Sequence, residues 1–275
     1  RTPITAVGLI TSFLFRVLGT KLVFYTQTPL FRIDRGVKDK LLNMYAKVMG
    51  AVWITPCRGQ AVLGAPLANA RFFPFSALPH CYKKDWFQDG RISILMVGKF
   101  LPRKRHDLLL NALARLPDPS LFRVTLVGEL SDVTGSKTMD AIIAQVSQMN
   151  FEVDIRTNLP YEDVMELYRS HDLFVLPSEN ESASVSNLEA MSYGLPVIVS
   201  SCNRTGDYSG ASGWSFQSRS LEDLAFVLQV AVSNRDELKR RGELAREIVE
   251  REFTPDQVYR PLFDAYLQRS RNGAS

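Results

Sequence analysis

From Arg91 onward, short apolar runs alternate with amphipathic ones, and no other feature of this sequence constrains the fold as much. "RISILMVG", "FRVTLVG", "FEVDIRT", "DLFVLPS" and "PVIVSS" read as strands, most of them apolar on both faces. Between them, "HDLLLNALARL", "TMDAIIAQVSQM", "YEDVMELYRS" and "SVSNLEAMSYG" place apolar residues at helical spacing, the last run stopped by Gly194. A strand that is apolar on both faces must be covered on both, as happens in a helix-linked parallel sheet. The pattern therefore predicts a doubly wound, Rossmann-like domain. Residues 221–233, 235–251 and 255–268 read as three further helices, the last opened by Thr254-Pro255.

The first ninety residues are less regular. "ITAVGLITSFLFRVLG" is the most apolar stretch, but Arg16 interrupts it before it reaches the roughly twenty residues of a membrane span. It is expected to be a buried helix, with a membrane-touching helix as the alternative. "KLVFYT", "AVWIT" and "ARFFPF" read as strands, and "VKDKLLNMYAKVMG" as a helix closed by Gly50. Residues 76–91 are polar and aromatic without periodicity, and read as an inter-domain linker. A net charge of +4 with interspersed signs argues against a nucleic-acid partner. Cys57, Cys81 and Cys202 are odd in number and far apart, which suits a reducing, cytoplasmic setting rather than a disulfide framework. His80, His106 and His171 are too scattered to suggest a metal site.

Open parallel sheets bind ligands beyond the carboxyl ends of their strands. The loop after "ILMVG" reads "KFLPRKRHD", where Lys99 and Lys104 could hold a diphosphate as two point charges. A solvated basic loop is the alternative, and Arg103 and Arg105 read that way. After "FVLPS", the small residues Ser182, Ala183, Ser184 and Ser186 would let a phosphate approach backbone N–H groups at a helix start. Glu189 lies about one turn inside that helix, where it could accept hydrogen bonds from a ribose diol or simply complement the helix dipole.

Spacing adds to these readings. Glu181 and Glu189 form E-x7-E, followed by "EAMSYGLPVIVS", which resembles the signature of retaining glycosyltransferases of family four (glycosyl transferases group 1), with the GT-B fold. "VGKFLPRKRHDLLLNAL" and "YEDVMELYRSHDLFVLPS" resemble two further segments of that family, in the right order. The resemblance implies two Rossmann-like domains facing a cleft. These are an incomplete acceptor-side domain over 1–85 and a nucleotide-sugar-binding domain over 86–254, with a helix over 255–275 packing back toward the first domain.

The resemblance implies that Lys99, Lys104 and Glu181 are catalytic, the lysines neutralising the leaving diphosphate and Glu181 facing the transferred sugar. Glu189 would hold the ribose, the backbone from Ala183 through Ser184 and Val185 to Ser186 would line the donor, and Asn158 and Leu159 would pack the nucleobase. "SAS" stands where the family has "GFG", and Gln27 stands where it has a His, as the acceptor-side candidate. Expected partners are a nucleotide-sugar donor, a saccharide or lipid-linked acceptor and a membrane surface at its inner face. Neither cofactor nor metal is expected, since Asp-x-Asp is absent from the sequence. The alternative is a non-catalytic nucleotide-sugar-binding or scaffolding subunit. A dehydrogenase-type dinucleotide site needs G-x-G-x-x-G after a first strand, which "GKFLPR" does not supply.

Overall fold

The structure, a computed structural model, describes residues 6–25, 37–56, 70–130, 133–179, 181, 183–204 and 206–271. The chain divides into two compact units, Arg1–Pro74 and Phe75–Ser275. The division lies upstream of residue 85, because the segment read as a linker is bonded into the second unit. Ala77 donates to the Phe253 carbonyl, His80 to that of Ser192, and the Tyr82 hydroxyl to that of Tyr193.

In the first unit, helix α1 (Ala6–Val17) precedes strand β1 (Val23–Tyr25), helix α2 (Val37–Val48), β2 (Val52–Thr55) and β3 (Ala70–Phe72). The strands form a parallel sheet in the order β1-β2-β3. Ala46, Ala51 and Trp53 make its small core, with Phe24 tilted against Trp53 at 5.2 Å. The expectation of a buried first helix is corrected. Phe13, Leu14, Phe15 and Leu18 are more than half exposed. Polar bonds tie α1 to α2 and the turn beyond it, from Ser12 to the Tyr45 hydroxyl at 2.8 Å and from Arg16 to the Met49 carbonyl at 2.9 Å. Among the described residues, the apolar side chains of α1 stay largely exposed beside these bonds. Among the described residues, no helix is long and apolar enough to cross a membrane.

The second unit follows the predicted alternation. Strand β4 (Ile92–Val97) leads to α3 (His106–Leu113), β5 (Phe122–Gly128), α4 (Val133–Val146), β6 (Val153–Thr157), α5 (Tyr161–Ser170) and β7 (Leu173–Leu176). Then come α6 (Val185–Ser192), β8 (Val197–Ser200), the short α7 (Gly206–Ser209) and β9 (Gly213–Phe216). Helices α8 (Leu221–Val232), α9 (Arg235–Ile248) and α10 (Pro255–Arg271) close the unit. All six strands are parallel, in the order β6-β5-β4-β7-β8-β9. This is the doubly wound order, with its switch point between β4 and β7.

Strands β7 and β8 are buried at every position, which is why their sequences do not alternate. Ile94, Met96, Leu109, Leu113, Val124 and Leu126 form the middle of the main core. Gly194 ends α6 at φ 71°, a left-handed conformation that a side chain would strain. Asp172 fastens the switch point, accepting from the Phe87 and Ser93 amides at 3.0 and 2.8 Å.

Candidate functional site

Two loops open above the switch point, one after β4 and one after β7. In the first, Pro102–Lys104 form a 3-10 turn, and the Lys104 amide donates to the Leu101 carbonyl at 2.9 Å. This turn folds the Lys104 side chain back over Gly98, whose missing Cβ would stand 3.4 Å from the lysine Cε. Lys104 is therefore buried, and its Nζ meets the Glu181 Oε2 at 2.9 Å. The Arg103 guanidinium reaches the same oxygen at 2.8 Å. A second set of pairs lies alongside, with Glu179 bridging Arg105 at 2.6 Å and Arg219 at 2.7 Å. The Glu179 amide donates to the Arg103 carbonyl at 2.8 Å, so backbone and charges together tie the two loops.

The expectation that Arg103 and Arg105 are merely solvated is corrected. Each faces a carboxylate of the opposite loop, because the tight turn turns consecutive side chains toward it.

Burial lowers the Lys104 pKa, against the attraction of Glu181. Burial pushes the Glu181 carboxyl up, but Lys104 and Arg103 outweigh it and leave the group below the ordinary carboxylate range. The balance of burial against charge differs between the two partners. Glu181 has two cations, whereas Lys104 has one carboxylate and is also repelled by Arg103.

Ser184 caps α6 in an extended conformation, its Oγ accepting from the Asn187 amide at 3.3 Å and lying 2.8 Å from the Ser186 Oγ. The cap satisfies one amide of the first turn, and the remaining amides point out of the helix start. Ala183 precedes this cap; Val185, the first helical residue, is exposed. Glu189, on the next turn, meets the Tyr161 hydroxyl at 3.3 Å and the Tyr168 hydroxyl at 3.1 Å. Burial pushes its carboxyl above the ordinary range, and the two phenols pull it back.

Lys104 and Glu181 thus meet directly, while Lys99 stands apart from them on Glu129 at 2.8 Å, both side chains half exposed. Asn158, at φ 52°, accepts from the Leu130 amide at 3.0 Å, beside the half-buried Leu159. Gln27 and Ser182 lie outside the described residues. The contact of Arg103 with Glu181 is not legible in the sequence, nor are Tyr161 and Tyr168 as partners of Glu189. The tyrosines are seven positions apart on α5, a helical repeat that could have marked them as sharing one face. Among the described residues, no group of three or more His, Cys, Asp or Glu side chains could hold a metal ion.

The family described as glycosyl transferases group 1 matches residues 82–248. D-inositol 3-phosphate glycosyltransferase of Nocardia farcinica is 31% identical over 160 residues, covering 56% of this chain and 35% of that protein. The Streptosporangium roseum protein of the same name is 29% identical over 222 residues, covering 78% of this chain and 49% of its own length. The chain thus spans at most about half the length of these relatives. Among solved structures, sucrose-phosphate synthase from Thermosynechococcus elongatus aligns with a TM-score of 0.72 at 18% identity, covering 97% of this chain and 73% of that one. An Anabaena protein solved with UDP and glucose aligns with a TM-score of 0.76 at 14% identity, covering 96% and 76%. These likenesses identify the fold as GT-B.

Proposed function

Because this chain belongs to the glycosyl transferases group 1 family, we propose that it moves a sugar from a nucleotide-diphosphate sugar to an acceptor with retention of anomeric configuration. The acceptor is a polysaccharide, lipopolysaccharide or glycolipid, met in the cytoplasm at the inner face of a membrane. One observation carries the reading: buried Lys104 pairs with Glu181 at the switch point, with Glu189 about one turn beyond the α6 cap. The Anabaena neighbour solved with UDP and glucose supports a nucleotide-sugar donor.

In this reaction the bond from the anomeric carbon to the diphosphate oxygen breaks and the diphosphate leaves. The acceptor oxygen bonds to the same face of the sugar, and its proton passes to the departing phosphate oxygen. Negative charge grows on the diphosphate as the bond breaks. Lys104, already held in a water-poor position, stabilises that charge more in the transition state than in the ground state. Lys99 would join it by turning from Glu129. Glu181, freed from the two cations by the phosphates, would accept hydrogen bonds from sugar hydroxyls. Amides from Ala183 to Ser186 would line the phosphates and Glu189 would hold the ribose. Asn158 and Leu159 would flank the base, with Gln27 on the acceptor side. The scheme uses neither metal nor cofactor.

A second reading is favoured by Gln27, which stands where the resembled family carries a His. In that reading the chain is a nucleotide-sugar-binding or scaffolding subunit without turnover. Calorimetric titration of UDP, GDP and ADP tests the shared donor site. One nucleotide is expected to bind, and its binding to be lost in Glu189→Ala and Lys104→Ala. Failure of all three to bind would overturn both readings, and binding without sugar transfer would favour the second.

A further inference from the structure

The Glu189 carboxylate is held differently from that of Glu181. Glu181 places one oxygen against two cations, whereas Glu189 has one phenol on each oxygen, Tyr161 on Oε1 and Tyr168 on Oε2. An ionised carboxylate offers about four acceptor sites. With one site on each oxygen taken, one remains on each, the number that a vicinal diol requires. A phenol also adds no charge, so it weakens the carboxylate as an acceptor less than a lysine or arginine partner would.

The phenols are themselves placed by packing. Tyr168 is fully buried, stacked on Tyr193 at 5.9 Å and tilted against Phe174 at 6.0 Å. Tyr193 is braced in turn by His80, stacked on it at 3.9 Å, and by the Tyr82 hydroxyl on its carbonyl. Tyr161 differs from Tyr168. It opens α5 three residues after Asn158 and is 62% exposed.

We propose that Tyr161 and Tyr168 are positioning residues that fix the rotation of the Glu189 carboxylate, so that its two remaining acceptor sites take both hydroxyls of a nucleotide ribose. The pair thereby selects ribonucleotides over deoxyribonucleotides. The inference rests on the ribose role proposed above for Glu189. Tyr168 is the stronger determinant, being buried, braced and the nearer of the two.

The test is calorimetric titration of wild type, Tyr168→Phe and Tyr161→Phe with whichever of UDP, GDP and ADP binds most tightly, and with its 2′-deoxy and 3′-deoxy forms. Phenylalanine keeps the ring packing, and circular dichroism with thermal melting checks that the variants fold. Wild type is expected to favour the ribonucleotide by about tenfold over each deoxy form, as for hydrogen bonds to a charged group. Tyr168→Phe should weaken the ribonucleotide by roughly fivefold to tenfold while changing the deoxy forms by less than about twofold, so that discrimination collapses. Tyr161→Phe should do the same to a smaller extent. Equal losses for ribo and deoxy forms would mean a merely structural role and overturn the proposal, as would unchanged discrimination in Tyr168→Phe. Wild type that binds nucleotides without discriminating would instead overturn the ribose role of Glu189, and wild type that binds none would overturn the donor-site reading itself.

Discussion

Lys99 and Lys104 stand five positions apart in one loop, yet they occupy different environments. Lys104 is buried and already faces a carboxylate across the switch point, whereas Lys99 shares an exposed pair with Glu129. An exposed pair contributes little to stability and is easily exchanged. A buried cation aimed at developing charge is commonly worth roughly 3–4 kcal/mol in the transition state. Lys104→Ala is therefore expected to lower kcat at least about tenfold. Turnover assayed in the presence of a chelator, where wild type should remain active, checks this; near-wild-type turnover in the variant would remove the clamp assignment. Lys104, Glu181 and Glu189 were legible in the sequence because their spacing is a motif. Arg103 and the two tyrosines were not, because their roles depend on which residue lies opposite after folding.

At the scale of elements, the cap of α6 matters most. Ser184 satisfies an amide that the helix start would otherwise leave unpaired, and it orders the segment next to Glu181. Ser184→Ala should cost about 1 kcal/mol of stability, read from the urea midpoint, and weaken nucleotide binding as well. A midpoint equal to that of wild type would show that the cap is dispensable.

Strands β4 to β8 and helices α3, α5 and α6 were legible because continuous apolar runs and 3.6-residue periodicity dominate their sequences. Strand β9 was not. Its first residue is Gly213, where a Cβ would come within 2.8 Å of the Val197 carbonyl oxygen on the neighbouring strand. The glycine is a close-approach residue at a sheet edge. Helix α4 begins at Val133, ahead of the expected Thr138, because Gly135 lowers local propensity while tertiary burial of that glycine restores the turn.

At the scale of the second unit, two buried histidines couple folding to pH. His171 donates from Nδ1 to the Leu167 carbonyl at 2.7 Å and accepts at Nε2 from the Thr125 hydroxyl at 2.8 Å, an arrangement that suits the neutral ring. His106 stacks on Phe100 at 5.0 Å, and neither of its nitrogens has a hydrogen-bond partner among the described residues. Burial, the largest cause in both, lowers each pKa to about 4 from the ordinary 6.5. Between those values the unfolded chain binds more protons, so stability is complete above pH 6.5 and falls as pH drops toward 4. The loss by pH 4 is about 3 kcal/mol per histidine. Asp172 and Glu189, whose pKa values burial raises, oppose the trend at its acid end. Urea midpoints across this range should show the slope, and His106→Phe should reduce it by about half. An unchanged slope in that variant would exclude His106 as a source.

The parallel α/β class and the E-x7-E spacing are legible in residue type alone, because burial on both strand faces and helix starts are local consequences of it. Folding brings Arg103 beside Lys104 on Glu181, turns Lys99 to Glu129 and sets two tyrosines on Glu189. The exposure of Phe13, Leu14 and Phe15 on α1 is likewise a matter of folding. These are contacts between segments tens of residues apart, and direction across such a gap is set by packing, to which local periodicity is blind.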